Sequence, residues 1–464
     1  MKVENMVFTR KRSNKKWIFL VFLILLAFGV FVLNTKLFEK NPPLIQTKSD
    51  IIYSNLTDPI SIEISDESVL KDVKVTLFKA NELNGEMLVN EHVKGNKKSV
   101  HFDLKLPKPA YKENVDSYKL VIEASDSSFW NFFLGNQALK EVKVIIDTKK
   151  PFVEILDNSY QIEQGGVGSV VFKASDENLQ EVYITTDKDK IFKATPYVKE
   201  GYYAALIPWE VTDEHFRAYV VAVDKAGNVN KQRIRYYFTN KKYRVSNIKV
   251  SDRFLDGKIE FLAQKYAPKD RELSRLEKFK FVNEDLRASN EVIIHDITSK
   301  VPDTMINNFK VNLFKPLKNG QKVADYADHR FYSYNNQAFS SSYHMGLDLA
   351  SVKEAPIISN NDGEVVFVQE NGIYGLNIII YHGFGIYTLY GHCTNVDVNV
   401  GDRVRAGDVI GTTGTTGLAL GDHVHFGVLV QGVEVRPEQW QDAKWIKENI
   451  YNVLESSKKR ILSE

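Results

Sequence analysis

Cysteine is nearly absent: Cys393 is the only one in 464 residues. No intramolecular disulfide can form, so the fold must stand on its cores, and a Cys₄ or Cys₂His₂ zinc site is excluded. An excess of one charge is lacking too. The chain carries 61 basic and 59 acidic side chains, a formal net charge of +2, and that total asks for no nucleic-acid partner. Helix-type heptads are scarce. Gly411-x-x-Gly414-x-x-Gly417 lacks the Gly-Lys-Ser/Thr ending and the following helix of a phosphate loop, so it reads as a turn. Aromatic residues are plentiful instead, with 22 Tyr and 27 Phe, which suits a β-rich protein. At roughly 100–200 residues per domain, the length predicts about three domains, each able to bury a core.

The N-terminal region holds one long apolar run. Lys2, Arg10, Lys11, Arg12, Lys15 and Lys16 precede residues 17–33, whose 17 positions would rise about 26 Å as a helix. That is close to the hydrocarbon thickness of a bilayer. The basic cluster predicts a cytoplasmic tail over residues 1–16 and a transmembrane helix over 17–34, with the rest of the chain outside the inner membrane. No clear Ala-x-Ala site follows, and the run exceeds a usual signal-peptide core, which favours an uncleaved anchor.

Residues 35–50 form a polar stalk with Pro42-Pro43. Short alternating runs follow, such as Ile60-Ser61-Ile62-Glu63-Ile64, Val73-Lys74-Val75-Thr76-Leu77 and Val142-Lys143-Val144-Ile145-Ile146. Period-two alternation predicts half-buried strands. The Asp147-Thr148-x-x-Pro151 opening and the Ala222-Val223-Asp224-Lys225-Ala226-Gly227-Asn228 ending resemble bacterial immunoglobulin-like modules. Glu123-Ala124-Ser125-Asp126 matches Lys173-Ala174-Ser175-Asp176. Two immunoglobulin-like β-sandwiches are therefore expected, over residues 50–147 and 148–240, serving as spacers.

Residues 241–310 are dense in charge, with apolar positions at helical spacing. Helices are predicted over residues 257–266 and 270–288, the second from Leu273, Leu276 and Phe279. This helical linker subdomain would pack on the C-terminal domain or cover its cleft. From Val311 the strand pattern returns with frequent glycine, so residues 311–440 are expected to form an antiparallel β-sheet or barrel. Trp445, Ile446, Ile450, Val453 and Leu454 mark a terminal helix over residues 441–464. The predicted class is mostly β.

Of ten histidines, five lie in the stretch His344, His382, His392, His423 and His425, which invites a metal reading. In His344-Met345-Gly346-Leu347-Asp348, strand alternation puts His344 and Asp348 on one side. A straight strand would hold them about 13 Å apart, so sharing one ion requires a bend, for which Gly346 is a candidate. In His423-Val424-His425 both imidazoles face one way. Either they lean together on one ion, or one ligates and the other stands near a bound water. Two His and one Asp would leave an open fourth position, the pattern of a catalytic zinc site rather than a structural one. The remaining two His would accept the water's proton and stabilise the developing oxyanion.

His344-x-x-x-Asp348 followed by His423-x-His425 resembles the lysostaphin-type, LytM-like zinc metallopeptidases. The similarity covers residues 325–440 and includes Gly363-Glu364-Val365-Val366, Thr388-Leu389-Tyr390-Gly391-His392, and Gly401-Asp402-Arg403-Val404-Arg405-Ala406-Gly407 in order. The resemblance implies His344, Asp348 and His425 as ligands of one Zn²⁺, and His392 and His423 as the catalytic histidines. Gly427 and Cys393 depart from the family, which often has Glu and usually Leu there. Asp328-His329-Arg330 and Arg436-Pro437-x-x-Trp440 look like a membrane-anchored Gram-negative subset, which implies an inner-membrane protein with its catalytic domain in the periplasm.

His382 and His329 read as ordinary polar residues. Cys393 neighbours His392, and strand geometry would turn it inward as a small apolar residue. Tyr343, Tyr374 and Tyr390 either border a groove or pack. The expected function is a zinc endopeptidase cutting cross-links or stem peptides of peptidoglycan. The alternative is a non-hydrolytic relative that activates other wall hydrolases, with a regulatory protein partner left open. Val400-Gly401-Asp402-x-Val404-x-x-Gly407 is similar to the turn of lipoyl-type barrels, but their modified lysine is missing.

Overall fold

The computed structural model describes residues 15–33, 35, 38–79, 82, 84–110 and 115–463. Two units emerge: Met1–Lys150 with Asp224–Asn228, and Pro151–Val223 with Val229–Glu464. The chain is mostly β.

In the first unit, the cytoplasmic tail expected over residues 1–16 lies, as far as residue 14, outside the described residues. The apolar run forms the helix Lys15–Leu33, with nearly all its described side chains exposed. Among the described residues, no helix is long and apolar enough to cross a membrane. The alternation expected in Ile60–Ser65 appears as Ile60, Ile62 and Ile64 buried with Ser61 and Glu63 facing out. That strand pairs with Leu44–Thr47 and Ser99–Leu104. A five-stranded sheet runs Ile51–Ser54, Gln137–Ile146, Ser117–Asp126, Leu70–Lys79, Glu86–His92. The two sheets share one core that includes Ile62, Ile64, Val75, Leu120 and Val142.

In the second unit, residues 152–233 supply two four-stranded sheets. Their core is continuous with that of the C-terminal sheet and the terminal helices. The terminal helix segments Ala443–Ile446, Lys447–Tyr451 and Asn452–Ser463 bury Ile446, Ile450, Val453 and Leu454, four of the five residues expected to mark a helix, and leave the fifth, Trp445, half-buried. They pack on residues 152–175 and on Tyr197 rather than on the site described below: Ser159 Oγ donates to the Asn449 carbonyl at 2.9 Å, and Tyr197 Oη to the Leu454 carbonyl at 2.8 Å.

The C-terminal sheet has eight strands. Its order is Gln321–Ala324, Leu347–Ala350, Val424–Val430, Ile386–Gly391, Leu376–Tyr381, Gly363–Glu370 and Arg403–Val404, with Val433–Val435 added on Val424–Val430. Beside it, Asp328–Tyr334 and Gln337–His344 form a hairpin. Residues 241–310 begin not as helix but as a strand, Val245–Lys249, parallel to Asp328–Tyr334. The helix predicted to start at residue 270 starts at Arg275. Ser274 is its N-cap, and a reciprocal capping box with Glu277 sets the boundary. Helical backbone then continues through Phe281–Leu286 and Arg287–Thr298, past the predicted end at 288. The helix predicted over 257–266 begins earlier, at Asp252, capped by Ser251.

These helices bury Phe279, Val282 and Leu286 in one core with Tyr332 of the hairpin, Phe367 of the sheet and Tyr374 of the turn Gly372–Tyr374. Buried Asn290 adds a polar clamp. Its Oδ1 accepts the Ile373 N–H at 2.9 Å, and its carbonyl accepts from Asn371 Nδ2 at 3.2 Å. We expect Asn290→Ala, which leaves the buried Ile373 N–H unpaired, to cost about 1–3 kcal/mol. Denaturant unfolding followed by far-UV CD would measure it as a lowered midpoint at unchanged slope.

Candidate metal centre

The strand expected across His344 to Asp348 is broken. Gln337–His344 ends at His344, and Leu347–Ala350 begins after Met345 and Gly346. The break folds His344 back, so that its Nε2 lies 3.0 Å from Asp348 Oδ1. Gly346 is needed here for space: a Cβ would lie 2.6 Å from His425 Nε2 and 2.8 Å from the Phe426 carbonyl.

Sheet register supplies the third donor. Asp348 stands opposite His425 in the pairing of Leu347–Ala350 with Val424–Val430, and Gly391 stands opposite His425 on its other flank. His425 Nδ1 is 3.0 Å from both Asp348 Oδ1 and His344 Nε2. The three atoms thus make a triangle with 3.0 Å edges. His344 Nδ1–H donates to the Asp325 carbonyl at 2.9 Å, which turns the Nε2 lone pair into the triangle.

Burial alone would raise the Asp348 carboxyl, but the adjacent His344 and His425 imidazoles outweigh it and hold it well below the usual carboxylate range. Burial pushes His425 down to about 4 and His392 to about 3, the latter with the neighbouring His423 and His425 adding to the effect. Both rings are therefore neutral at neutral pH, with a lone pair to offer.

Lone pairs converging at this spacing repel one another unless a cation lies among them. Donors about 2.0–2.1 Å from a zinc ion at tetrahedral angles lie about 3.3 Å apart, so the triangle fits zinc in size as well as in donor type.

The other two histidines flank the triangle. His392 follows Ile386–Gly391 in left-handed backbone, φ 66°, with its N–H on the Tyr374 carbonyl at 2.8 Å. Its Nδ1–H donates to the Thr416 carbonyl at 2.8 Å. His423 Nδ1–H donates to the Gly421 carbonyl at 2.7 Å, and its Nε2 is 3.6 Å from Asp348 Oδ1. The two rings are 4.8 Å apart. Each is fixed through Nδ1 to a backbone carbonyl, which leaves Nε2 as the proton-accepting atom.

All five residues line one cleft of about 520 Å³. His382 does not: its Nδ1 donates to the Asp362 carbonyl at 2.9 Å and its Nε2 meets Thr388 Oγ1 at 2.7 Å. His329 stacks on Tyr343 at 4.1 Å, outside the cleft. Cys393 packs in the core and burial pushes its thiol up to about 12, which removes it as a nucleophile. Of the three tyrosines, Tyr374 lines the cleft, edge-on to His425 at 5.4 Å, while Tyr390 is fully buried. Lys249, Arg287 and Arg330 were not anticipated, yet all three line the cleft. Nothing in their spacing separates them from the many other cations of residues 241–330. The carbonyls of Asp325, Thr416 and Gly421, being backbone, leave no mark in residue type.

Residues 342–437 match peptidase family M23. The DD-carboxypeptidase/endopeptidase Mpg of Neisseria meningitidis serogroup B is 36% identical over 94 residues, 20% of this chain and 22% of that protein. The peptidoglycan DD-endopeptidase ShyA of Vibrio cholerae serotype O1 is 34% identical over 89 residues, 19% of this chain and 21% of that protein. The chain thus spans about a fifth of the length of the curated relatives it matches. Among solved structures, the catalytic domain of lysostaphin from Staphylococcus simulans is 25% identical over 26% of this chain and 92% of that one, with a TM-score of 0.23.

A methyl group at Gly346 has nowhere to go without displacing His425. We expect Gly346→Ala to weaken zinc retention by roughly tenfold or more, read as zinc per protein by mass spectrometry after dialysis against graded chelator.

Proposed function

Because this chain carries an M23 peptidase domain, homologous to LytM and lysostaphin-type peptidoglycan endopeptidases, we propose that it is a zinc-dependent endopeptidase acting on the peptide cross-links or stem peptides of peptidoglycan. The observation that carries this reading is the triangle of His344, Asp348 and His425 with two further imidazoles at its edge. Zinc, when bound there, supplies an acidified water and Lewis acidity toward a peptide carbonyl.

The protein's own groups do the rest. His423 and His392, each fixed through Nδ1 to a backbone carbonyl, take a proton at Nε2 and, once protonated, hydrogen-bond a developing oxyanion or hand the proton to the departing amine. Lys249, Arg287 and Arg330 in the cleft lining suit a peptide that carries free carboxylates, as wall stem peptides do. Arg330 is already paired to Asp328 at 3.1 Å, and Arg287 donates to the Asn283 carbonyl at 3.0 Å and to its Oδ1 at 3.2 Å, which leaves Lys249 as the stronger candidate.

Zinc-loaded full-length protein incubated with purified sacculi is expected to release new muropeptides, resolved by chromatography. No new fragment at any substrate maturity would refute the hydrolase reading. His425→Ala should lose both metal and turnover. His423→Ala should keep the metal while turnover falls roughly 10²–10⁴-fold; wild-type turnover in that variant would overturn the division of roles.

We further propose that Lys15–Leu33 anchors the chain in the inner membrane, with the peptidase domain in the periplasm. The reading rests on the sequence, in which the apolar run over residues 17–33 follows six basic residues among the first 16. Its apolar side chains, Trp17 and Phe31 among them, have no protein cover. Alkaline carbonate washing of membranes should leave the protein in the pellet; release into the supernatant would sink the anchor.

A further inference from the structure

The first unit displays an aromatic loop without protein cover. Between Ser117–Asp126 and Gln137–Ile146, Phe132 is 92% exposed, Phe133 71% and Leu134 64%, with Phe129 and Trp130 partly exposed. An ordinary surface turn is built from Gly, Asn, Asp and Ser; here Ser128 and Asn136 are at the base, and five of the six residues 129–134 are apolar, Asn131 being the exception. The base is rigid. Asp126 Oδ1 accepts the Ser128 N–H at 3.0 Å and the Asn136 N–H at 2.8 Å, all three residues buried. The tip holds Asn131, Phe132 and Phe133 at φ 51°, 56° and 66°, a region that aromatic side chains rarely enter. The loop is thus braced in a form that faces its rings outward.

The loop is also fastened to the chain that leaves the apolar helix. The Phe38 ring lies 5.9 Å from Phe129 and 6.5 Å from Phe133. The Glu39 carbonyl accepts from Ser128 Oγ at 2.6 Å and Asn136 Nδ2 at 3.0 Å. Lys40 Nζ stands 4.8 Å over the Trp130 ring. Phe38 is five residues beyond Leu33, the last residue of the helix, and five residues reach about 18 Å at most. Turn bonds from the Thr35 N–H to the Val32 carbonyl and from the Phe38 N–H to the Thr35 carbonyl shorten that reach. Any bilayer that takes in the helix therefore comes within that distance of the loop, whatever the helix's direction. Trp and Phe beside a Lys are the residue types that settle at the lipid–water interface.

We propose that residues 129–134 insert into the outer lipid–water interface and seat the first β-unit on the bilayer beside its anchor. This rests on the anchor proposed above. The test uses the full chain reconstituted in phosphatidylethanolamine/phosphatidylglycerol vesicles, with an environment-sensitive fluorophore on Phe132→Cys. That position is nearly fully exposed, so the change removes no packing, and buried Cys393 is checked for background in the unsubstituted chain. A second sample carries the label on Phe22→Cys within the helix. Both labels are expected to emit at shorter wavelength and to be quenched by doxyl lipids, Phe132 most by quenchers near the headgroup and Phe22 most by deep ones. Quenching at Phe22 with a solvent-like, unquenched label at Phe132 would overturn the loop proposal and leave the anchor standing. No quenching at Phe22 would overturn the anchor and the loop proposal with it. A shifted but unquenched label at Phe132 would mean a protein covers the loop, which overturns the lipid assignment.

Discussion

Three lone-pair donors held 3.0 Å apart are the constraint around which the C-terminal domain is built. Such a triangle is unfavourable in isolation, since its members repel and all are removed from water. It persists because the sheet leaves its members no alternative. Leu347, Leu349, Val424 and Phe426 are buried on one face, and strand alternation then turns Asp348 and His425 to the other. A slip of one residue in this pairing would exchange those faces and dissolve the site. The apolar packing of the sheet and the chemistry of the site are one arrangement seen from two sides.

The segment preceding the sheet completes the cleft without entering the donor set. Phe279, Val282 and Leu286 secure it by burial, and Asn290 ties it to the turn that carries Tyr374. Lys249 and Arg287 line the same cleft as the histidines. The donor atoms thus come from the sheet, its hairpin and its loops, and two of the cleft's cations from the neighbouring segment.

Legibility followed the range of the interactions. The burial of Ile60, Ile62 and Ile64, and of Ile446, Ile450, Val453 and Leu454, could be read because periodicity is local. The four cleft histidines and the aspartate could be read because few side chains bind metal and these share an ordered motif. The helix start was misplaced from residue 275 to 270 although Ser274 and Glu277 carry a capping box, a signal present and passed over. The strand Val245–Lys249 was missed because its partner, Asp328–Tyr334, lies some eighty residues on and its own pattern is too short to declare itself.

The amino-acid sequence by itself determined the β-rich class, the residue types able to hold a zinc ion and the apolar run at the N-terminus, since each depends on composition or on spacings of a few residues. Only the tertiary structure decided that Gly346 serves by its lack of volume, that backbone carbonyls choose which imidazole nitrogen faces inward, and that Lys249, Arg287 and Arg330 are the cations lining the cleft. Those outcomes depend on contacts between residues tens of positions apart, and a contact of that kind exists only once the sheet has settled its register.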